Sequence, residues 1–246
     1  MRTGVLAMGI FTFLIVGASG AWAQADTNTW HGDGALGLSL AKGNANTLLL
    51  TGSATTHREW GPNVLKLGAD GQYGLNDWGK SNQTQSANNI HGFIEYDRFF
   101  TERFYGLARV DASHDDLAEV RYRVILSPAV GYYFIKGEKW KLNGEFGPSF
   151  ITERLGSDNN NYVALRLSGH TEYSFNKNAK VWGNIDYLPK VDDFGSYLLN
   201  SEIGAEAAFN SRFSMRIVAA DKYNSRPAAG RDTNDITLIS ALVYKY

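Results

Sequence analysis

The chain contains no cysteine. That excludes a disulfide framework, thiol catalysis and thiolate metal sites, and it suits an oxidising compartment, where stray thiols are a hazard. Neither sign of charge prevails: the formal net charge is −1, so no strongly basic surface is offered to nucleic acid. Long apolar runs are missing except at the extreme N-terminus, and mean hydropathy is negative, which excludes a helical membrane protein. Proline is scarce, with 5 residues against 26 glycines, and aromatics reach 13%. High Tyr, Phe and Gly content with many Asn and Ser fits numerous strands joined by polar turns.

The N-terminal apolar run has the form of a leader. Arg2 supplies a positive start, Gly4 to Val16 are apolar, and Ala21-Trp22-Ala23 forms an A-x-A cleavage site before Gln24. The expected organisation is a signal peptide at 1–23 and one domain at 24–246. A spanning anchor needs about 20 apolar residues, and this run is shorter.

After residue 30 the chain alternates with period two, the period of a strand. Leu65, Leu67, Ala69, Gly71, Tyr73 and Leu75 stand against Lys66, Gly68, Asp70, Gln72 and Gly74. Val163, Leu165, Leu167, Gly169, Thr171, Tyr173 and Phe175 stand against Ala164, Arg166, Ser168, His170 and Glu172. Twelve such segments are predicted, near 30–43, 47–60, 63–75, 86–100, 104–114, 119–135, 140–154, 161–175, 179–189, 196–209, 213–223 and 234–246. Sandwich strands average about 5–6 residues. These are about twice as long, and a membrane strand needs about 9–11 residues for the apolar band alone. The expected fold is an all-β, antiparallel up-and-down transmembrane barrel of the bacterial outer membrane. Its apolar parity faces lipid and its polar parity faces the lumen.

Connections and aromatics support that reading. Short polar turns at Gly61-Pro62, 101–103, 136–139, 176–178 and 210–212 are the expected periplasmic set. Asn76 to Gln85, Leu155 to Asn160 and Asn224 to Thr233 are the expected longer external loops, while Asn44-Ala45-Asn46 breaks the length rule. Trp60, Phe100, Phe104, Phe134, Trp140, Phe175, Phe209 and Phe213 all flank the short turns, where an interfacial girdle belongs. The last strand sets Ile236, Leu238, Leu242, Tyr244 and Tyr246 on one face. Leu242, Tyr244 and the terminal Tyr246 look like the address that outer-membrane barrels present to the barrel assembly machinery.

Residues 30–47 read W-x-G, then L-G-x-S-x-x-x-G-N-x-x-T, and the chain closes on Thr237 to Tyr246, TLISALVYKY. Both strings resemble the YdiY-like family of salt-induced outer-membrane proteins, a domain of unknown function. The resemblance implies location and fold, and carries over no catalytic residue. Gly43-Asn44 has its own local reason, because both residues tolerate the positive φ of a tight hairpin.

Chemistry is sparse. His31, His57, His91 and His170 fall on polar faces, with no two at close ligand spacing. His114-Asp115-Asp116 stands at an external loop, either as a contact to a lipopolysaccharide-bound divalent ion or, preferred here, as a solvated loop. An outer-membrane enzyme needs a nucleophile or base near a His on the lipid side. The Ser168 and His170 pair points inward, so no enzyme, cofactor or metal is expected. The lumen candidates are Glu95, Arg109, Asp111, Arg121, Arg123, Glu145, Arg166, Glu172, Glu202 and Arg216. Pairing of Glu95 with Arg109 and of Asp111 with Arg121 is expected across the hairpins. Three functions fit such a wall. One is a narrow, weakly selective pore for ions or small solutes. The second is a closed structural or adaptor barrel, and an enzyme comes third. About eight strands leave a filled lumen and 16–18 an aqueous one, so twelve does not choose between the first two. Expected partners are outer-membrane lipid, lipopolysaccharide and the barrel assembly machinery, and no nucleic acid.

Overall fold

The computed structural model describes residues 29–41 and 46–246. Among them run twelve strands: β1 (Trp30–Ala41), β2 (Thr47–Trp60), β3 (Asn63–Asn76), β4 (Thr84–Phe99), β5 (Phe104–Asp115), β6 (Val120–Lys136), β7 (Trp140–Leu155), β8 (Asp158–Asn176), β9 (Ala179–Lys190), β10 (Asp193–Ala208), β11 (Phe213–Asn224) and β12 (Asn234–Lys245). Each pairs antiparallel with its sequence neighbours, and β1 closes the ring against β12. Closure gives every strand a neighbour on both sides, the condition for a sheet to stand in hydrocarbon. The leader at 1–23 and the Gly43-Asn44 turn lie outside the described residues.

Period two decides what each side chain meets. In β12, Ile236, Leu238, Leu242 and Tyr244 point outward and are 43–65% exposed, whereas Thr237, Ile239, Ala241 and Val243 point inward at 8% or less. Leu67, Val124, Phe146 and Leu165 share the outward parity. Phe100, Phe104, Phe134, Trp140, Phe175, Phe209 and Phe213 ring one rim, all exposed. That rim carries the tight turns and both ends of the strand order, and is called the turn end below. The other rim is the loop end.

The ring closes over a short seam. β1 and β12 pair from Asp33 opposite Lys245 to Gly37 opposite Ala241. Backbone bonds between Gly32 and Tyr246, at 3.1 and 3.3 Å, extend it to the turn end.

Three details differ from the sequence reading. The segment from Leu155 to Asn160 is no long loop: β7 and β8 stay paired to Leu155 opposite Asp158. Gly156, at φ 60, makes a tight reversal there. Asp158, Asn159 and Asn160 read as loop by composition, yet a strand end beyond the apolar band has no need of apolar residues. Second, β6 bulges between Val120 and Tyr122. The bulge leaves Arg121 exposed at the loop end, outside the lumen, and Asp111 sits opposite Ile125 instead. Third, Ala164 points inward as its parity requires, but it is fully buried against Ile151, Leu188 and Leu198. A larger side chain has no room at that position.

Candidate functional site

The lumen gathers most of the charge. Arg109 and Asp111 stand two apart on the inner face of β5, and the β4–β5 register puts Glu95 directly opposite Arg109. One guanidinium therefore reaches both acids. Arg109 donates from Nη1 to Glu95 at 2.8 Å, and from Nε and Nη2 to Asp111 at 2.8 Å each. Its plane lies over the Phe93 ring, 4.1 Å from the centroid. Lys66, opposite Glu95 on β3, binds Glu95 at 2.7 Å and Asp97 at 2.8 Å. On the other side His91 faces Asp111 through Nε2 at 3.1 Å and Asp70 through Nδ1 at 2.9 Å. Seven side chains from β3, β4 and β5 thus form one unbroken chain: Asp97, Lys66, Glu95, Arg109, Asp111, His91 and Asp70.

Two further arginines repeat the device. Arg166 holds Glu145 at 2.6 Å and Asp186 at 3.0 Å, linking β7, β8 and β9. The Tyr105 hydroxyl donates to Glu145 at 2.8 Å. Arg216 donates to Glu206 at 2.7 and 2.9 Å and also reaches Asp33. Since Asp33 lies on β1 and Arg216 on β11, this pair straddles the short closing seam. Glu202 is served by neutral donors, Trp182 Nε1 at 2.6 Å and Asn184 at 3.2 Å. Nearer the rims, Arg123 binds Glu153 at 2.5 Å, and Glu172 binds Lys180 at 2.8 Å and Lys141 at 3.7 Å.

Aromatic rings complete the filling, and two glycines make space for them. A Cβ on Gly131 would fall 2.2 Å from the Tyr105 ring, and one on Gly204 would fall 2.0 Å from the Trp182 ring. Both rings lie flat against the inner wall as a result. At mid-height Arg109, Arg166 and Arg216 are 4–6% exposed, so no water-wide passage runs along them. Voids of about 20 and 10 Å³ in this layer are of the size that holds a water or two.

The two ends of the lumen differ. The turn end opens into a vestibule of about 1440 Å³ whose wall includes Lys136, Lys141, Lys180 and Lys245. At the loop end, residues 225–233 form a strap over the mouth: Pro227, Arg231, Asp232 and Thr233 line one cavity with His91, Asp111 and Leu198 from the wall. Arg231 on the strap donates to Glu119 at 2.6 and 3.2 Å. Glu119 belongs to the β5–β6 connection, on the far side of the ring from β11 and β12, so the pair spans the mouth.

Of the sequence-predicted lumen residues, the barrel brings Glu95, Arg109 and Asp111 into one network, Glu145 and Arg166 into another, and Arg216 into a third. Arg121 joins none of these networks, for the reason given above, and the expected Asp111–Arg121 pair is replaced by Asp111 with Arg109 and His91. His170 bonds to Asn184 on the neighbouring strand. His114 bonds to the Arg121 carbonyl at 2.8 Å and to Asp116 at 3.1 Å. Sequence reasoning missed the Asp70–His91 link, the apolar layer around Ile151 and Ala164, and the strap. The first two stood in the parity pattern, since Asp70, His91 and Ile151 all fall on the inner face. The Arg231–Glu119 pair, 112 residues apart, left no local signal.

The family described as a protein of unknown function, DUF481, matches residues 34–246. The chain belongs to the DUF481 family. This is the YdiY-like group that its first and last strands resemble. A search of the curated proteins finds no match. Among solved structures the DUF481 barrel is similar to the NanC porin, at TM-score 0.53 and 9% identity, over 89% of this chain and 100% of that one. It is also similar to an outer-membrane channel from Pseudomonas putida F1, at TM-score 0.51 and 10% identity, over 88% and 95% of the two chains. At such low identity the likeness concerns the fold, that of outer-membrane β-barrels.

Proposed function

We propose that this barrel is a low-conductance, weakly selective outer-membrane channel for ions or small solutes, held nearly shut at rest. The observation that carries the reading is the composition of the mid-lumen. Arginines that each hold two acids occupy the place where a sealed barrel would gain as much from apolar residues, because buried ion pairs seldom out-stabilise well-packed hydrophobic ones. A wall that admits water and ions when it opens has a use for charge. Both signs alternate around it, so neither dominates the field, and selectivity is low. The names of the similar structures, a porin and a channel, favour conduction.

The closed structural barrel is the second reading, and the burial of the same arginines favours it. Planar-bilayer recordings in a salt gradient separate the two. The channel reading expects small conductance and little ion preference in the natural protein, and a clear rise in conductance in the Arg109→Ala/Arg166→Ala variant. Silence from both proteins, each shown folded by heat-modifiable mobility, establishes the closed barrel. Large, strongly selective currents from the natural protein overturn the resting occlusion.

In this reading the turn end faces the periplasm, the outward belt meets lipid and lipopolysaccharide, and Leu242, Tyr244 and Tyr246 are read by the assembly machinery. The mature chain begins near Gln24. Membrane fractionation with N-terminal sequencing checks this, and recovery as a soluble periplasmic protein overturns it.

A further inference from the structure

Beneath the strap lies a cavity of about 90 Å³ that the ion-pair lattice leaves open. His91 and Asp111 form its floor, and Asp115, Lys222 and Asp235 stand on its walls. Strap residues, Asp232 among them, form the roof. Several of the charges around it are already engaged: Asp111 by Arg109 and His91, Arg123 by Glu153, and Arg231 by Glu119. Asp115 and Asp235 remain, and both attract the ammonium of Lys222. Two carboxylates beside one ammonium leave the cavity short of positive charge.

Asp115 shows the shortage most directly. It is 2% exposed. Its Oδ1 accepts the Ala118 N–H at 2.9 Å, while Oδ2 has no donor among the described residues. A buried carboxylate oxygen without a donor is costly, and the cavity is where a donor fits. A chelated metal ion is a poor occupant. It needs several oxygens converging within about 2.0–2.6 Å, and among the described residues no three acidic or imidazole groups are so placed. Apolar groups stand between these charges: Val120 and Ile125, the cross-strand partners of Asp115 and Asp111, with Leu198 and Pro227. The space is smaller than the roughly 150 Å³ that takes the six heavy atoms of a benzene ring, which limits an occupant to about four heavy atoms.

We propose that this chamber is a binding site for a short aliphatic amine in its ammonium form, with its N–H donors on Asp115 and Asp235 and its hydrocarbon against Val120, Ile125 and Leu198. The site does not depend on the channel reading, since binding can be measured on a barrel that carries no current.

The test is calorimetric titration of the folded full chain in detergent with propylamine, and with 1-propanol as the uncharged counterpart. Expected are saturable binding of the amine and none of the alcohol, and at least about tenfold weaker binding by Asp115→Asn, the effect of losing one hydrogen bond to a charged group. Asp235→Asn should weaken it in the same direction. Potassium chloride at equal ionic strength should leave the amine bound. Heat-modifiable mobility verifies that each variant is folded. Should Asp115→Asn fail to fold, Arg231→Gln supplies the decision, because it keeps the carboxylates and loosens the strap. Amine dissociation several-fold faster than from the natural protein supports the site. An unchanged rate, an unchanged affinity in folded Asp115→Asn, full displacement by potassium chloride, or no saturable binding to the natural protein overturns it.

Discussion

Arg109 in the mid-lumen and Arg231 on the strap make the same chemical contact in opposite surroundings. Each guanidinium donates through two nitrogens to one carboxylate. The Arg109 side chain is 5% exposed, with acids at 7% and 11%, whereas Arg231 and Glu119 are 42% and 40% exposed. Burial raises both the desolvation cost and the mutual attraction, so a buried network tolerates no missing member. Water and salt screen the exposed pair to about 0–1 kcal/mol. The lattice is therefore the rigid part of the closure, and the strap is the part that yields first.

The largest effect that separates the two is expected from Arg109→Ala. It leaves Glu95 and Asp111 buried beside each other with one cation fewer, and breaking a buried pair in this way costs about 3–5 kcal/mol. Denaturant midpoints of the refolded barrel measure it. A triple variant, Arg109→Met with Glu95→Gln and Asp111→Asn, removes the charges together and should recover most of the loss. If the triple variant is as unstable as the single, the penalty does not come from unpaired charge.

A guanidinium with no acid at all sharpens the contrast. Leu165→Arg places it on the outward face, where mid-membrane arginine costs about 2–4 kcal/mol. Heat-modifiable mobility should show failed assembly. The inward neighbour is no tolerant control, because Ala164 is sealed in the apolar cluster with Ile151, Leu188 and Leu198. Ala164→Arg is expected to fail as well, from overpacking. Normal assembly of Leu165→Arg contradicts the assignment of the outward face to lipid.

The fold was legible because its signal is local. Alternation in β3, β8 and β12 fixed the two faces, and the tight turns fixed which strands are neighbours. Even the partner of Arg109 could be read, since a three-residue reversal at 101–103 leaves the β4–β5 register little freedom. Registers near the loop end could not be read the same way. A bulge such as that beside Arg121 adds a residue without changing the composition, and it moves every later pairing. Contacts across the ring, such as Arg216 with Asp33 and Arg231 with Glu119, depend on closure, which no pair of adjacent strands encodes.

The rigidity of the middle can also be tested without touching a charge. In Gly204→Ala the new methyl must displace the Trp182 ring from 2.0 Å, and Trp182 holds Glu202 through its indole N–H. Overpacking of this kind costs about 1–3 kcal/mol. The variant should lose stability in that range with altered tryptophan fluorescence. An unchanged spectrum and midpoint mean that the lumen has slack there and is less tightly filled than the burial of its arginines indicates.

The smallest stability effect belongs to the strap, and it is paired with the clearest dynamic one. Arg231→Gln removes an exposed ion pair, so the midpoint should move by no more than about 1 kcal/mol. The strap, however, has little else to hold it at Glu119, and amide hydrogens of residues 225–233 should exchange faster while those of the mid-barrel ladders do not. Ionic strength supplies the same perturbation without mutation. Raising salt from 0.1 M to 1 M shortens the screening length from about 10 Å to about 3 Å. Exchange of the strap in the natural protein should then approach that of the variant, and the variant itself should respond less, through its remaining Arg226–Asp193 pair at 3.8 Å. The buried Arg109 network should be indifferent to salt in both. Equal salt response of the strap in the two proteins means that Arg231 and Glu119 are not its latch, and a salt response of the mid-barrel amides means that the lattice is wetter than its burial shows.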